Sequence, residues 1–275
     1  MNAVELDLPL HEPYFRETGA GPGVVCLHSN ASSSSQWRAL MERLSSGFHV
    51  LSPDTYGAGK GPPWPTDRPL ELRDEVSLLE PVFARASTPF SLVGHSYGGA
   101  VALKAAVQQP QRVRALALYE PTLFALVDAA FAAPNDADGI RHTVERAVAA
   151  LASGDRSTAA GHFIDFWMGP GAWAATPPAR RAAIEGAIVN VQGWGRALFS
   201  ESMSLQNLGA LKMPVLLMVG RKSPASARAV AHLLAQALPG LEIREFEGLG
   251  HMGPVTHPEV VNPVIEKFLR GVSAR

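Results

Sequence analysis

The reactive chemistry available to this 275-residue chain centres on one serine. Ser96 lies in Gly94-His95-Ser96-Tyr97-Gly98, behind the apolar pair Leu92-Val93 and ahead of Gly99-Ala100, where a helix is predicted to begin. A serine at the tip of a strand-to-helix turn is exposed for attack, and glycines flank it because side chains there collide with the adjoining strand and helix. The spacing G-x-S-x-G is weak alone; an apolar run before it and a helix after it supply the context it requires. A serine hydroxyl is a poor nucleophile at neutral pH until a base accepts its proton. The chain has nine histidines from which to choose that base. His95 adjoins Ser96 but is expected to point the wrong way along the turn, and His257 before Pro258 reads as a helix-start residue. His251 follows an apolar run through Glu247-Gly248-Leu249-Gly250 and precedes Met252-Gly253-Pro254, and is the candidate base.

These residues need a scaffold, and the alternation of apolar runs describes one. Residues 23–28, 48–52, 89–94, 113–119, 214–220 and 241–246 are short apolar stretches bounded by Gly, Pro or polar residues. Such near-continuous apolarity suits parallel strands buried on both faces. Residues 3–8 and 13–18 read as an edge hairpin. Helical spacing runs through Ala227, Val230, Ala231, Leu234, Ala237 and Leu238, with Pro239-Gly240 as the stop, and again through Val260, Val261, Val264, Ile265, Phe268 and Leu269, where Pro263 is expected to kink or shift the helix. The order predicts an α/β fold with a mostly parallel, doubly wound sheet.

The alternation breaks between Glu120 and Pro214, where helical patterns such as Ile140, Val144, Ala147, Val148 and Leu151 appear without a convincing strand. Connections that long are uncommon unless they form a functional subdomain. The expectation is an all-helical cap over 121–210 on a core of 1–120 and 211–275. Trp167, Met168, Trp173, Trp194 and Phe199 either line an apolar pocket above Ser96 or form the cap's own small core.

Bulk properties narrow the partners. Hydrophobic residues make up 47% and charged residues 18%, which suits a well-buried globular protein. A net charge of -1 without a long run of one sign points away from nucleic acid and anionic membrane surfaces, towards a small-molecule substrate. The lone Cys26, within Val24-Val25-Cys26-Leu27, reads as a small buried hydrophobe. The first residues lack a basic start and an apolar stretch, and no apolar run is long enough to span a bilayer, so a cytoplasmic location is expected. Gly57-Ala58-Gly59-Lys60-Gly61 lacks the spacing of a phosphate-binding loop, and there is no metal-ligand cluster or dinucleotide fingerprint; no cofactor and no metal are expected. Nothing in the sequence speaks to oligomeric state.

Taken with the His28-Ser29-Asn30 loop and Gly250-His251-Met252, the Gly94–Gly99 turn resembles the α/β-hydrolase superfamily over essentially the whole chain. The resemblance implies a sheet of about eight strands and His251 as the base, in the order serine, acid, histidine. It also implies an oxyanion hole from the backbone N–H of Tyr97 and that of Asn30, or of Ser29, which stands where the family usually has glycine; a plain polar loop is the other reading of 28–30. The family commonly puts its aspartate three residues beyond the glycine ending the strand 214–220, but that residue is Ser223 here, read as a helix N-cap ahead of Pro224. Some branches carry the acid at the end of the preceding strand, which is Glu120 in this sequence. The alternative for Glu120 is a carboxylate satisfied by nearby backbone or an arginine. Pro121 is expected to keep Glu120 extended.

The activity so implied is hydrolysis of a small, apolar carboxylic ester, lactone or thioester through a Ser96-His251-Glu120 acyl-enzyme. The same residues suit a carbon–carbon bond hydrolase, and the fold also serves ligand-binding receptors without catalysis.

Overall fold

In a computed structural model, residues 12–65 and 67–274 are described. Seven strands are found there: β1 (Phe15–Thr18), β2 (Gly23–Leu27), β3 (His49–Pro53), β4 (Phe90–His95), β5 (Val113–Tyr119), β6 (Val215–Gly220) and β7 (Leu241–Phe246). They form one sheet in the order β1-β3-β2-β4-β5-β6-β7. Only β1 is antiparallel to its neighbour; every pairing from β3 across to β7 is parallel. The apolar runs at the centre explain this, since β2, β4 and β6 are buried along their whole length and so must be covered by helices on both faces.

The stretch at 13–18 contains β1, which pairs with β3. The other arm of the expected hairpin, at 3–8, lies outside the described residues. Strand order reverses at β2, which sends the chain first to β3 and then back to β4 on its other side. In open α/β sheets the carboxyl ends of strands near such a reversal form the binding crevice. Ser96 stands at the carboxyl end of β4.

On one face of the sheet, the helices Arg38–Leu44 and Pro258–Ser273 pack Leu40, Leu44, Val261, Ile265 and Leu269 against Val24, Val50, Val93 and Met218. Pro263 sits inside the second of these helices without breaking it. A helix anchored along one buried face tolerates the loss of a single N–H. Cys26 is fully buried in the same layer.

Between β5 and β6 the regular elements are all helical, among them Phe124–Ala130, Asp138–Ala152, Arg156–Met168, Pro178–Ala187 and Val191–Phe199. Their apolar faces belong to the same continuous cluster as the other face of the sheet, with Phe163, Trp167 and Trp194 joined to Leu92, Leu116 and Leu217. The helices thus have no separate core of their own. Their shared packing holds them over the carboxyl ends of β4 and β5.

Among the described residues no helix is long and apolar enough to cross a membrane.

Candidate active site

The turn at Ser96 is built by what cannot fit around it. Ser96 has φ 56° and ψ -120°, a conformation unfavourable for a side-chain-bearing residue. Its environment enforces the strain: a Cβ on Gly94 would lie 2.6 Å from the Gly98 carbonyl oxygen, and one on Gly98 would lie 2.3 Å from that of Leu27. Strand, turn and helix therefore approach closely only with glycine at both places. The helix that follows starts at Tyr97, two residues earlier than predicted, so Ser96 is the residue preceding its first turn.

His251 is brought to Ser96 from 155 residues away, with its Nε2 2.9 Å from Ser96 Oγ. On the opposite side of the ring, Nδ1 lies 2.7 Å from Glu120 Oε2. With Nδ1–H donating to the carboxylate, Nε2 is left to accept the serine proton, the tautomer a general base requires. Three successive carbonyls pin the loop that carries the imidazole. Leu249 accepts from Lys222 N–H at 2.9 Å, Gly250 from the Tyr119 hydroxyl at 2.8 Å and His251 from His95 Nε2 at 2.8 Å.

Glu120 is fully buried, and its carboxylate is held from three directions. Oε2 faces His251, while Oε1 accepts from Gly220 N–H at 2.6 Å and from the Ser223 hydroxyl at 2.7 Å. No arginine pairs with it among the described residues. Two expectations are corrected. Glu120 is not extended but has φ 44°, a cost offset by the three hydrogen bonds its carboxylate gains there. Ser223 does not cap a helix; its hydroxyl turns inward to Glu120, and Pro224 occupies the capping position before Ala225–Ala237.

Two backbone N–H groups, those of Asn30 and Tyr97, have no acceptor among the described residues. The Ser29 carbonyl accepts from His28 Nδ1 at 2.8 Å, and in a trans peptide the Asn30 N–H must then point the opposite way. No described residue accepts from that N–H, whereas the Ser29 N–H donates to Gln36 Oε1 at 3.1 Å. Of the two alternatives, Asn30 is the one left available. The Ser96 carbonyl likewise accepts from Ala100 N–H at 3.1 Å and Thr122 N–H at 3.3 Å. That turns the Tyr97 N–H, at the unsatisfied start of its helix, away from the helix interior.

Gln36, which the sequence does not mark, and His95, which points away from Ser96 as expected, join the two loops. Burial pushes the His95 imidazolium pKa well below its ordinary value, so the ring is neutral. Its Nε2–H donates to the His251 carbonyl, and its Nδ1 accepts from Gln36 Nε2 at 3.1 Å. Gln36 Oε1 in turn accepts from both the N–H and the hydroxyl of Ser29, at 3.1 and 3.0 Å. Every polar atom in this chain has one consistent role. A glutamine in a serine-rich loop and a histidine beside the serine carry no periodic signal that would have paired them.

Of the aromatic residues singled out from sequence, Trp167, Trp194 and Phe199 line a small cavity that also contains Asn30, Ser96 and Thr122. Met168 and Trp167 line a larger neighbouring cavity of about 340 Å³ with Ala31, Met252 and Ile184. Trp173 lines neither; it packs on Gly161, and its indole N–H reaches Ser157 at 3.3 Å. Asp54 and the glycines after it form a structural loop, with the Asp54 carboxylate accepting from Lys60 N–H at 2.8 Å.

A strained serine on a β4-to-helix turn, a histidine after the last strand and a mostly parallel sheet together define an α/β hydrolase. Residues 24–264 match the model of the alpha/beta hydrolase family, and the chain belongs to that family. It is 26% identical over 257 residues to a pimeloyl-[acyl-carrier protein] methyl ester esterase of Nitrosomonas europaea, covering 90% of this chain and 95% of that protein. Among solved structures it is similar to an alpha/beta hydrolase from Sphaerobacter thermophilus (TM-score 0.70, 25% identity, 94% and 96% of the two chains). It is also similar to an esterase from Exiguobacterium antarcticum (TM-score 0.76, 19% identity, 94% and 95%). The second of these likenesses speaks to the fold alone.

Proposed function

We propose that this chain is a serine hydrolase of small, apolar carboxylic esters, lactones or thioesters, acting through an acyl-enzyme on Ser96. The observation that carries the reading is the unbroken sequence Ser96 Oγ, His251 Nε2, His251 Nδ1, Glu120 Oε2, with contacts of 2.9 and 2.7 Å. Ser96 attacks the carbonyl carbon while His251 takes its proton; Glu120 holds the imidazole tautomer and stabilises the imidazolium. The Asn30 and Tyr97 N–H groups stabilise the oxyanion, a role in which one donor contributes about 3–4 kcal/mol in comparable enzymes. His251 then protonates the leaving oxygen, and water attacks the acyl-enzyme by the same route in reverse. Esters are favoured over carbon–carbon bonds because an alkoxide asks least of that protonation, and the Nitrosomonas europaea relative bears an esterase name.

The helices between β5 and β6 act in this reading as a cap, 121–210, over the core of 1–120 and 211–275. A cytoplasmic setting belongs to the same proposal. The absence of an aspartate at 223 is the one feature that favours a non-catalytic receptor; the bond from Ser223 to Glu120 supports catalysis instead.

A fluorophosphonate probe tests the nucleophile directly. The native protein should label at Ser96, and Ser96→Ala should abolish both labelling and ester cleavage. Absence of labelling on native, folded protein overturns the hydrolase reading.

A further inference from the structure

Two cavities of different size share Asn30, Phe163 and Trp167, and the smaller reaches Ser96; the chemistry of acyl transfer decides which part of an ester each receives. His251 must protonate the leaving oxygen, so the alcohol lies on the side of the His251 loop. The cavity of about 340 Å³ is the one that Met252, next to His251, helps to line. The acyl group stays on Ser96 and occupies the other side, where the cavity lined by Ser96 and Thr122 measures about 20 Å³. That is a small fraction of the neighbouring cavity, so the space beyond the carbonyl suits a short acyl chain.

Its walls are almost wholly apolar, with Phe124, Ile140, Val144 and Leu198 among them. Thr122 is the exception beyond Asn30 and Ser96. It is 1% exposed, and its hydroxyl has no hydrogen-bond partner among the described residues. A buried hydroxyl left unpaired is costly, and a protein rarely retains one without use. Its backbone N–H donates to the Ser96 carbonyl at 3.3 Å, so the side chain is carried on a residue fixed against the nucleophile itself. Thr122 also follows Glu120 by two residues and shares its anchored turn.

We propose that Thr122 is a specificity residue that hydrogen-bonds an oxygen at the 2-position of a short acyl group, making the preferred substrates esters of small 2-hydroxy or 2-oxo acids with larger, apolar alcohols. The assignment rests on the acyl-enzyme reading above. In the acyl-enzyme the carbonyl oxygen faces the Asn30 and Tyr97 N–H groups. The carbon next to it projects into the small cavity, and an oxygen there meets the Thr122 hydroxyl. A longer chain has no room.

Benzyl glycolate and benzyl propanoate test this, since their acyl groups have equal numbers of heavy atoms and differ in one hydroxyl. The kcat/KM ratio of glycolate to propanoate, corrected for their alkaline hydrolysis rates, should favour glycolate. Thr122→Val should lower that ratio about tenfold, and Thr122→Ser should keep it. Benzyl hexanoate should be cleaved at least about a hundredfold more slowly than the propanoate. Thr122→Val should also melt no lower than the native protein, because valine replaces an unpaired buried hydroxyl with a methyl group of the same shape. If the ratio is the same in native protein and Thr122→Val, or if Thr122→Val melts markedly lower, the assignment is wrong even while Ser96 labels and esters are cleaved. If Ser96 takes no fluorophosphonate and neither ester is cleaved, the acyl-enzyme reading itself has failed and takes this assignment with it.

Discussion

The indole of Trp167 lies over the imidazole of His251, with ring centroids 3.9 Å apart and planes inclined by 26°. Trp167 comes from the helix Arg156–Met168 between β5 and β6, while His251 comes from the loop after β7. The inserted helices thus touch the histidine proposed as the base. A tryptophan face attracts a cation by about 0.5–2 kcal/mol, so the stack favours the imidazolium formed in the transition state over the neutral ring. Trp167→Leu is expected to lower kcat about three- to thirtyfold. Trp167→Phe should retain part of that loss. Steady-state kinetics of the two variants check the order native, Phe, Leu; equal rates in all three would mean that the ring only fills space.

Glu120 and Ser223 should differ sharply in effect. Glu120→Gln replaces the carboxylate facing Nδ1 with an amide that favours the wrong tautomer and cannot stabilise imidazolium, and a loss of about 10⁴ in kcat is expected. Ser223→Ala removes one of three donors to the same carboxylate and should cost about tenfold. Adding Ser223→Asp to Glu120→Gln should recover part of the rate, by returning a carboxylate at the neighbouring strand end. Turnover numbers for the three variants decide it, and a Ser223→Ala loss as large as that of Glu120→Gln would show that Glu120 is not the group acting on His251.

The Gln36–His95 connection should be read out in kcat rather than KM. Gln36→Leu frees the Ser29 N–H and leaves His95 Nδ1 without its donor, loosening the oxyanion loop and the His251 carbonyl together. A roughly tenfold lower kcat with nearly unchanged KM is expected, since ground-state binding does not use these bonds. A pure KM effect would assign Gln36 to substrate binding instead.

Glu75 should make folding stability depend on pH. It is fully buried, accepting from the Tyr97 hydroxyl at 3.0 Å and Tyr56 N–H at 3.2 Å, and burial pushes its carboxyl pKa up to about 8. Its ordinary value is near 4.5, so between these two pH values the folded protein holds a proton that the unfolded chain has released. The stability linked to Glu75 is therefore fully present below about pH 4.5 and is lost as pH rises through about 8. Glu75→Gln, neutral in both states, should melt increasingly above the native protein from pH 5 to pH 8 and hold that advantage beyond it. Parallel melting curves across this range would contradict the assignment.

Local regularity made much of this molecule legible before its structure. The runs at 23–28, 89–94 and 214–220 announced buried parallel strands because each had to be covered on both faces, and they became β2, β4 and β6. The serine turn was readable because its demands are steric and local: Gly94 and Gly98 leave no room for another residue. Trp167 and Trp194 were legible as aromatic helix positions, but whether they faced Ser96 depended on how the helices lay on the sheet. Trp173, with the same local signature, faces elsewhere.

The sequence by itself therefore determined the order of elements, the strained serine turn and the loop carrying His251, because those follow from periodicity and backbone sterics over a few residues. Only the tertiary structure decided what reaches the two ends of the His251 ring, and what holds the loop behind it. Glu120 and Ser223 are 103 residues apart yet share one hydrogen bond, and His95 reaches the His251 carbonyl across 156 residues. Hydrogen bonds extend about 3 Å and have no periodicity along the chain, so their partners are chosen by the parallel register of β4, β5 and β6. That register sets Ser96, Glu120 and Gly220 side by side at one sheet edge, where a serine in the aspartate's place donates to a glutamate from the adjoining strand end.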